Sequence, residues 1–204
     1  MKKLLLSALA VCAFSFSNAQ EEKSSTGLDV TFGAKAGLNL STFTGDIEGA
    51  DMKTGFHVGG MAEIALNDKF SVQPELMFST QGTQSNDFLG SDETLKFNFS
   101  YINIPVMAKY YVTEGLSLEA GPQIGILVDS KAKFDGETED ADELLGDLST
   151  IDFGLNFGIG YKLDSGLNFS ARYNLGLSNI SDESDLDDKV NNSVFQFSVG
   201  YFFN

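Results

Sequence analysis

The sequence predicts an all-β fold, an eight-stranded antiparallel up-and-down transmembrane β-barrel, and three observations predict it. Eight stretches alternate large apolar residues with small or polar ones at a period of two, the pattern of strands whose two faces differ. These stretches run about 11–17 residues, whereas soluble strands average about 5–6 and a tilted transmembrane strand needs about 9–11. The connections between them alternate strictly between short and long, as they do in membrane barrels.

The composition agrees. The 204 residues allow one domain, with 18 Phe, 6 Tyr and 21 Gly against 3 Pro and no Trp, a mixture that favours strands over helices. A formal net charge of −16 makes non-specific nucleic-acid binding unfavourable. Residues 1–19 have the form of a secretory signal peptide: Lys2 and Lys3 begin it, an apolar run follows, and Ser17-Asn18-Ala19 offers small residues for cleavage before Gln20. The run is too short to span a bilayer as a helix. Cys12, the one cysteine, lies inside it, so the mature chain is expected to have neither disulfide nor thiol chemistry. Residues 20–28 are polar and unpatterned, a flexible lead, and residues 29–204 form the expected barrel domain. A simple leader of this kind directs the chain across a bacterial inner membrane, and the barrel pattern then places it in the outer membrane.

Each strand carries its own signal. Asp29–Ser41 aligns Val30, Phe32, Leu38 and Leu40 on one face. Thr54–Leu66 aligns Phe56, Val58 and Ile64, and Lys69–Thr80 aligns Phe70, Val72, Leu76 and Phe78. In Leu95–Tyr111 the apolar residues change parity, odd through Tyr101 and even from Ile102, which predicts a β-bulge there. Leu116–Val128, Ile151–Leu163, Leu167–Leu177 and Asn192–Asn204 complete the set, the last with Phe195, Phe197, Val199, Tyr201 and Phe203 in register. Asn67-Asp68, Val112–Gly115 and Asp164–Gly166 are the tight turns. Pro74, Pro105 and Pro122 fall at similar heights on neighbouring strands. Proline cannot donate to a ladder, so a local belt of bulges or missing ladder bonds is expected there.

Periodicity does not say which face points out. Eight strands enclose a lumen that side chains fill, and the small, polar, Gly-rich set fits that space better than the Phe-rich set. The Phe-rich face is therefore expected to meet lipid. Ser100–Tyr111 (SYINIPVMAKYY), Ala171–Leu177 (ARYNLGL) and the aromatic last strand resemble the PorT-like outer-membrane β-barrel family common in Bacteroidetes. The resemblance implies an eight-stranded outer-membrane barrel of mostly unassigned function, some relatives serving protein secretion or gliding.

With the apolar face outward, the inward charges are Lys35, Glu63, Glu75, Lys109, Glu119, Asp152, Lys162 and Arg172. Four are acidic and four basic, and such balance in a narrow lumen points to pairing. Two readings follow: a gate in which Arg172 and Lys109 pair with the glutamates, or a static polar filling. His57, the one histidine, is read as a satisfied lumen residue. General-base chemistry would require a partner such as Ser71, Ser79 or Glu75 beside it, and a zinc site needs more ligands than the mature chain offers. No catalytic, cofactor-binding or metal site is expected, and no enzymatic activity. The long connections carry most of the negative charge, including Asp182–Asp188. They are expected to be solvated outer loops, with weak divalent-cation binding or bridging to anionic lipid as the sharper alternative. The predicted partners are outer-membrane lipid and an envelope protein, in a structural or surface-interaction role. A narrow transport pore, a component of a secretion assembly, a small barrel enzyme and a soluble lipocalin-like carrier are the competing classes.

Overall fold

A computed structural model describes residues 29–45, 51–85, 94–134, 137–141, 148–180 and 190–203. The expected leader and lead, and Asp182–Asp188, lie outside them. The strands are β1 (Asp29–Gly45), β2 (Asp51–Ala65), β3 (Phe70–Gln81), β4 (Thr83–Ser85), β5 (Leu95–Tyr111), β6 (Leu116–Phe134), β7 (Glu137–Asp140), β8 (Ile151–Lys162), β9 (Leu167–Gly176) and β10 (Val190–Phe203). Eight of them close a ring in the order β1–β2–β3–β5–β6–β8–β9–β10, with β10 returning to β1. Every pairing is antiparallel. Closure is continuous from Phe32 opposite Phe203 to Gly45 opposite Val190. The remaining two are outer extensions. β4 continues β3 beyond Gly82, whose φ of 134° breaks the strand, and β7 folds back on the end of β6.

The apolar face points outward. Leu38, Phe56, Leu76, Ile104, Phe157 and Phe197 are exposed, while Lys35, Asn39, Glu75, Asn156 and Arg172 are buried. That distribution inverts a soluble protein and suits a hydrocarbon solvent. At the short-turn end the outward aromatics form cross-strand pairs, Phe70 with Tyr110 and Tyr161 with Phe169, at the level where interfacial aromatics sit. Local chemistry fixes the turns. The Asn67 side-chain oxygen accepts from the backbone N–H groups of Lys69 and Phe70 at 3.0 and 3.1 Å. Thr113 Oγ1 accepts from Leu116 N, and Gly166 takes a φ of 86°.

The prolines form the expected belt as missing ladder bonds, without bulges. The β2–β3 ladder skips from Met61–Glu75 to Ile64–Val72 beside Pro74. The β3–β5 ladder skips from Pro74–Val106 to Met77–Asn103 beside Pro105, and the β5–β6 ladder skips from Pro105–Gln123 to Ala108–Ala120 beside Pro122. Register is unchanged across each gap.

Two expectations require correction. The strands reach further outward than the alternation indicated: β1 runs to Gly45, β2 begins at Asp51, and β6 runs to Phe134. Glu139 and Asp140, within the long connection expected between Leu116–Val128 and Ile151–Leu163, lie instead on a strand, β7. The parity change in β5 is also no bulge of that strand. Leu95, Phe99, Tyr101, Asn103 and Lys109 are all buried on one unbroken inward face. The extra residue is Val128 of β6, because Ser100 faces Asp129 while Tyr101 faces Leu127. What changes at Tyr101 is the solvent outside. Beyond the lipid band, water bathes the outer surface, so Asn98 and Ser100 face out and Phe97, Phe99 and Tyr101 turn in. There Phe43, Phe99, Tyr101, Ala132 and Ala141 make a small apolar core, with Leu127, Leu148, Ile180 and Val190 packed against it. Phe43 and Phe99 stack at 5.6 Å.

This placement predicts a depth dependence. Phe157→Arg, on the lipid face at mid-strand, should cost about 2–4 kcal/mol, and Met52→Arg, beyond the lipid band, about 0–1 kcal/mol. Reversible urea unfolding in phospholipid vesicles reads both.

Candidate functional site

The lumen brings seven of the eight predicted charges into one alternating chain. Lys162 Nζ lies 3.8 Å from Glu63, and Glu63 accepts from Lys109 Nζ at 3.1 Å. Lys109 also stands 3.6 Å from Glu119, which pairs with Arg172 Nε at 2.8 Å. Arg172 Nη1 reaches Glu75 at 2.8 Å, and Lys35 Nζ ends the chain on Glu75 at 2.7 Å. Each charge comes from a different ring strand, in the order β8, β2, β5, β6, β9, β3 and β1. A period-two inward face on each strand suffices to deliver them. Asp152 stands apart, further toward the outer end, where it accepts from Asn192. The expected neutral balance therefore becomes four cations against three carboxylates.

Neutral residues complete the chain and were not singled out from the sequence. Gln73 donates to Glu75 at 2.6 Å and accepts from Lys109 at 3.0 Å, and the Tyr111 hydroxyl donates to Glu63 at 2.5 Å. Phe202 of β10, the one ring strand without a charge in the chain, lies under Lys162 with Nζ 4.5 Å from its ring centroid. Inward parity marked Gln73 and Tyr111, but nothing in spacing alone tells a bridging amide from a filler. Small residues make room: a Cβ on Gly160 would come 2.4 Å from Glu119 Oε1, and one on Gly158 would come 2.7 Å from Arg172 Cγ.

Toward the outer end, Asp152 apart, the lumen is filled by neutral amide, imidazole and hydroxyl groups. His57 Nδ1 lies 2.7 Å from Asn39 Oδ1 and Nε2 lies 2.8 Å from Ser198 Oγ. Asn39 also donates to Ser79 Oγ at 2.9 Å. The Ser198–His57–Asn39 series has residue types that serve nucleophilic catalysis elsewhere. Here His57 is 2% exposed and Ser198 5%, so neither presents an edge to a substrate. Ser71 lies at the mouth, lining a vestibule of about 530 Å³ with Asp29, Glu63, Asp68, Glu114 and Lys162. From short-turn end to outer end the lumen thus reads as open vestibule, ion chain, amide and hydroxyl layer, then aromatic cap. Among the described residues no group of three or more His, Cys, Asp or Glu side chains is arranged to hold a metal ion.

Residues 18–182 match the family model described as outer membrane protein beta-barrel domain. The chain belongs to that family. It is similar to the crystal structure of Neisserial surface protein A, NspA, at 12% identity over 86% of this chain and 99% of that one, with a TM-score of 0.58. Matches also include Ail, the attachment invasion locus protein of Yersinia pestis (18% identity, 86% and 99% covered, TM-score 0.46), and OprG from Pseudomonas aeruginosa (17%, 87% and 96%, 0.42). At such identities the likeness is one of fold alone, and NspA carries it. No curated protein matches the chain. Membership of this family, with an outward apolar band, places the protein in the bacterial outer membrane and sets aside the soluble lipocalin-like class.

Removing one member of a buried ion chain leaves its partners uncompensated. Arg172→Met should cost about 3–5 kcal/mol, because both Glu75 and Glu119 lose a partner. Lys162→Met, at the wet mouth with one longer ion pair to Glu63, should cost less than about 1 kcal/mol. Urea midpoints of the two refolded variants in neutral detergent micelles measure the difference.

Proposed function

We propose that this protein is a non-conducting, non-enzymatic outer-membrane barrel that presents acidic outer loops to ions, envelope lipid or a protein partner. The observation that carries this reading is the doubly filled lumen: an ion chain drawn from seven strands, and an aromatic core above it inside the outer extension. A gate would need the charges to exchange partners and open a path. The cap lies on that path; the one inward charge beside it, Asp152, has no cation in the ion chain to exchange with, which favours static filling over the pore reading. The buried, enclosed His57 weighs against the enzyme reading. The reading includes cleavage of the leader after Ala19, supported by the small residues there. It also places the chain in the PorT-like branch, on the Ser100–Tyr111 and Ala171–Leu177 motifs, where a role within an envelope secretion assembly is the second possibility. Weak divalent-cation binding at the acidic connections belongs to the same proposal, since clustered carboxylates suit hard cations.

Two measurements test it. In planar bilayers, wild type and Arg172→Ala should both be silent, because the cap remains in the variant; steady single-channel current from either would refute static filling. Crosslinking in the native outer membrane followed by co-purification should yield a stoichiometric envelope partner if the protein serves an assembly, and lipid alone if it stands by itself.

A further inference from the structure

The outer surface of β5, β6 and β7 carries an arrangement that the filled barrel does not use. Lys96 of β5 stands directly opposite Lys133 of β6. Both are exposed, and directly opposed like charges destabilise an antiparallel pair. Neither has a carboxylate partner among the described residues. Two ladder pairs closer to the membrane and on the same face, Asn98 faces Lys131, which pairs with Asp140 of β7. Three of the chain's 13 basic residues therefore share one outward face of a protein whose net charge is −16. Gln84 lies opposite Lys96 and Thr138 opposite Lys133, extending the row with hydrogen-bonding groups. A lysine pair with no carboxylate partner among the described residues is a place for an anion supplied from outside.

The height of the row says which anion. On the same face of β5 the lipid-facing residues Val106, Ile104 and Ile102 give way to Ser100, Asn98 and Lys96. Six residues separate Lys96 from Ile102, about 20 Å along the strand at ~3.3 Å per residue, or about 15 Å of height at the tilt of a membrane barrel. An ordinary phospholipid headgroup layer extends about 5–8 Å beyond the hydrocarbon. The matching anion therefore sits on a taller headgroup. We propose that Lys96 and Lys133, with Lys131 below them, bind the phosphate or carboxylate groups on the saccharide headgroup of an outer-leaflet glycolipid. The proposal depends on the outer-membrane placement and is independent of whether the loops engage a protein partner.

The test uses the full mature chain refolded into phosphatidylcholine nanodiscs, with purified lipopolysaccharide as the probe and phosphatidylglycerol as the comparison anion. Native mass spectrometry counts bound lipid, and the urea midpoint reports stabilisation. Wild type should bind lipopolysaccharide and be stabilised by it. Lys96→Gln/Lys133→Gln should bind at least about fivefold more weakly, while Lys96→Arg/Lys133→Arg retains binding. In neutral detergent without lipid, the Gln double variant should be as stable as wild type or more so, because the opposed charges are gone. A merely structural role for the lysines predicts the opposite sign. Equal lipopolysaccharide binding by wild type and the Gln double variant would overturn the site. Equal binding of phosphatidylglycerol and lipopolysaccharide by wild type would overturn the assignment to a tall headgroup. Should the double variant fold poorly, Lys133→Gln alone supplies the same comparison.

Discussion

Closure of the ring is the constraint from which the remaining features follow. Inside hydrocarbon an unpaired backbone N–H or C=O costs several kcal/mol, so β10 must return to β1, and it does so over its whole length, from Val190 opposite Gly45 to Phe203 opposite Phe32. Closing eight strands fixes a narrow bore, and the bore then dictates its contents. Glycines stand where a neighbouring side chain needs the volume, and polar residues fill the centre because the apolar ones are required outside. The three prolines are tolerated because each forfeits ladder contact on one side and keeps it on the other.

A bore filled with charge has its own requirement. Ionised groups far from bulk water, here all of the chain but Lys162 at the mouth, are stable only if each lies beside an opposite charge, and removing one of them exposes its neighbours. The alternating order from Lys162 to Lys35 meets that requirement with a single linear chain. Because every charge comes from a different strand, the chain also acts as a set of spokes. Strands that never touch in the sheet, such as β3 and β9, are joined through Glu75 and Arg172. Specificity of strand order is a better account of such a chain than net stability, since apolar residues of equal volume would satisfy stability alone.

Much of this was legible in the sequence, and the exceptions have a common cause. Strand count, order of short and long connections, outward face and the identity of the inward charges all follow from parity, which is a local property. The pairings are not local. Nothing in the spacing of Glu63 and Lys109 says that they meet, or that Asp152 is left out, because which inward residues share a height depends on the stagger of the whole ring. Gln73, Tyr111 and Phe202 escaped for the same reason. The position of the extra residue in β6 escaped because Val128 lies at the end of its apolar run, where alternation gives way to a polar collar and no longer records facing.

The inversion at Tyr101 shows what parity measures in a membrane strand. Alternation reports which face meets the more apolar surroundings, and those surroundings change along a single strand. Within the bilayer the outside is the apolar side; above it the inside is, as in any water-soluble sheet. A switch of apolar parity therefore has two physical origins, an inserted residue or a change of solvent, and burial separates them. In β5 the inward series Leu95, Phe99, Tyr101, Asn103, Met107 and Lys109 is unbroken across the switch, so the change is one of solvent. The switch then serves as a depth mark: Ile102 is the last β5 residue of the lipid band, and Ser100, Asn98 and Lys96 lie outside it. The same mark explains why the aromatic cap is a core of soluble type stacked on a barrel of membrane type, and why two lysines can face outward there at all.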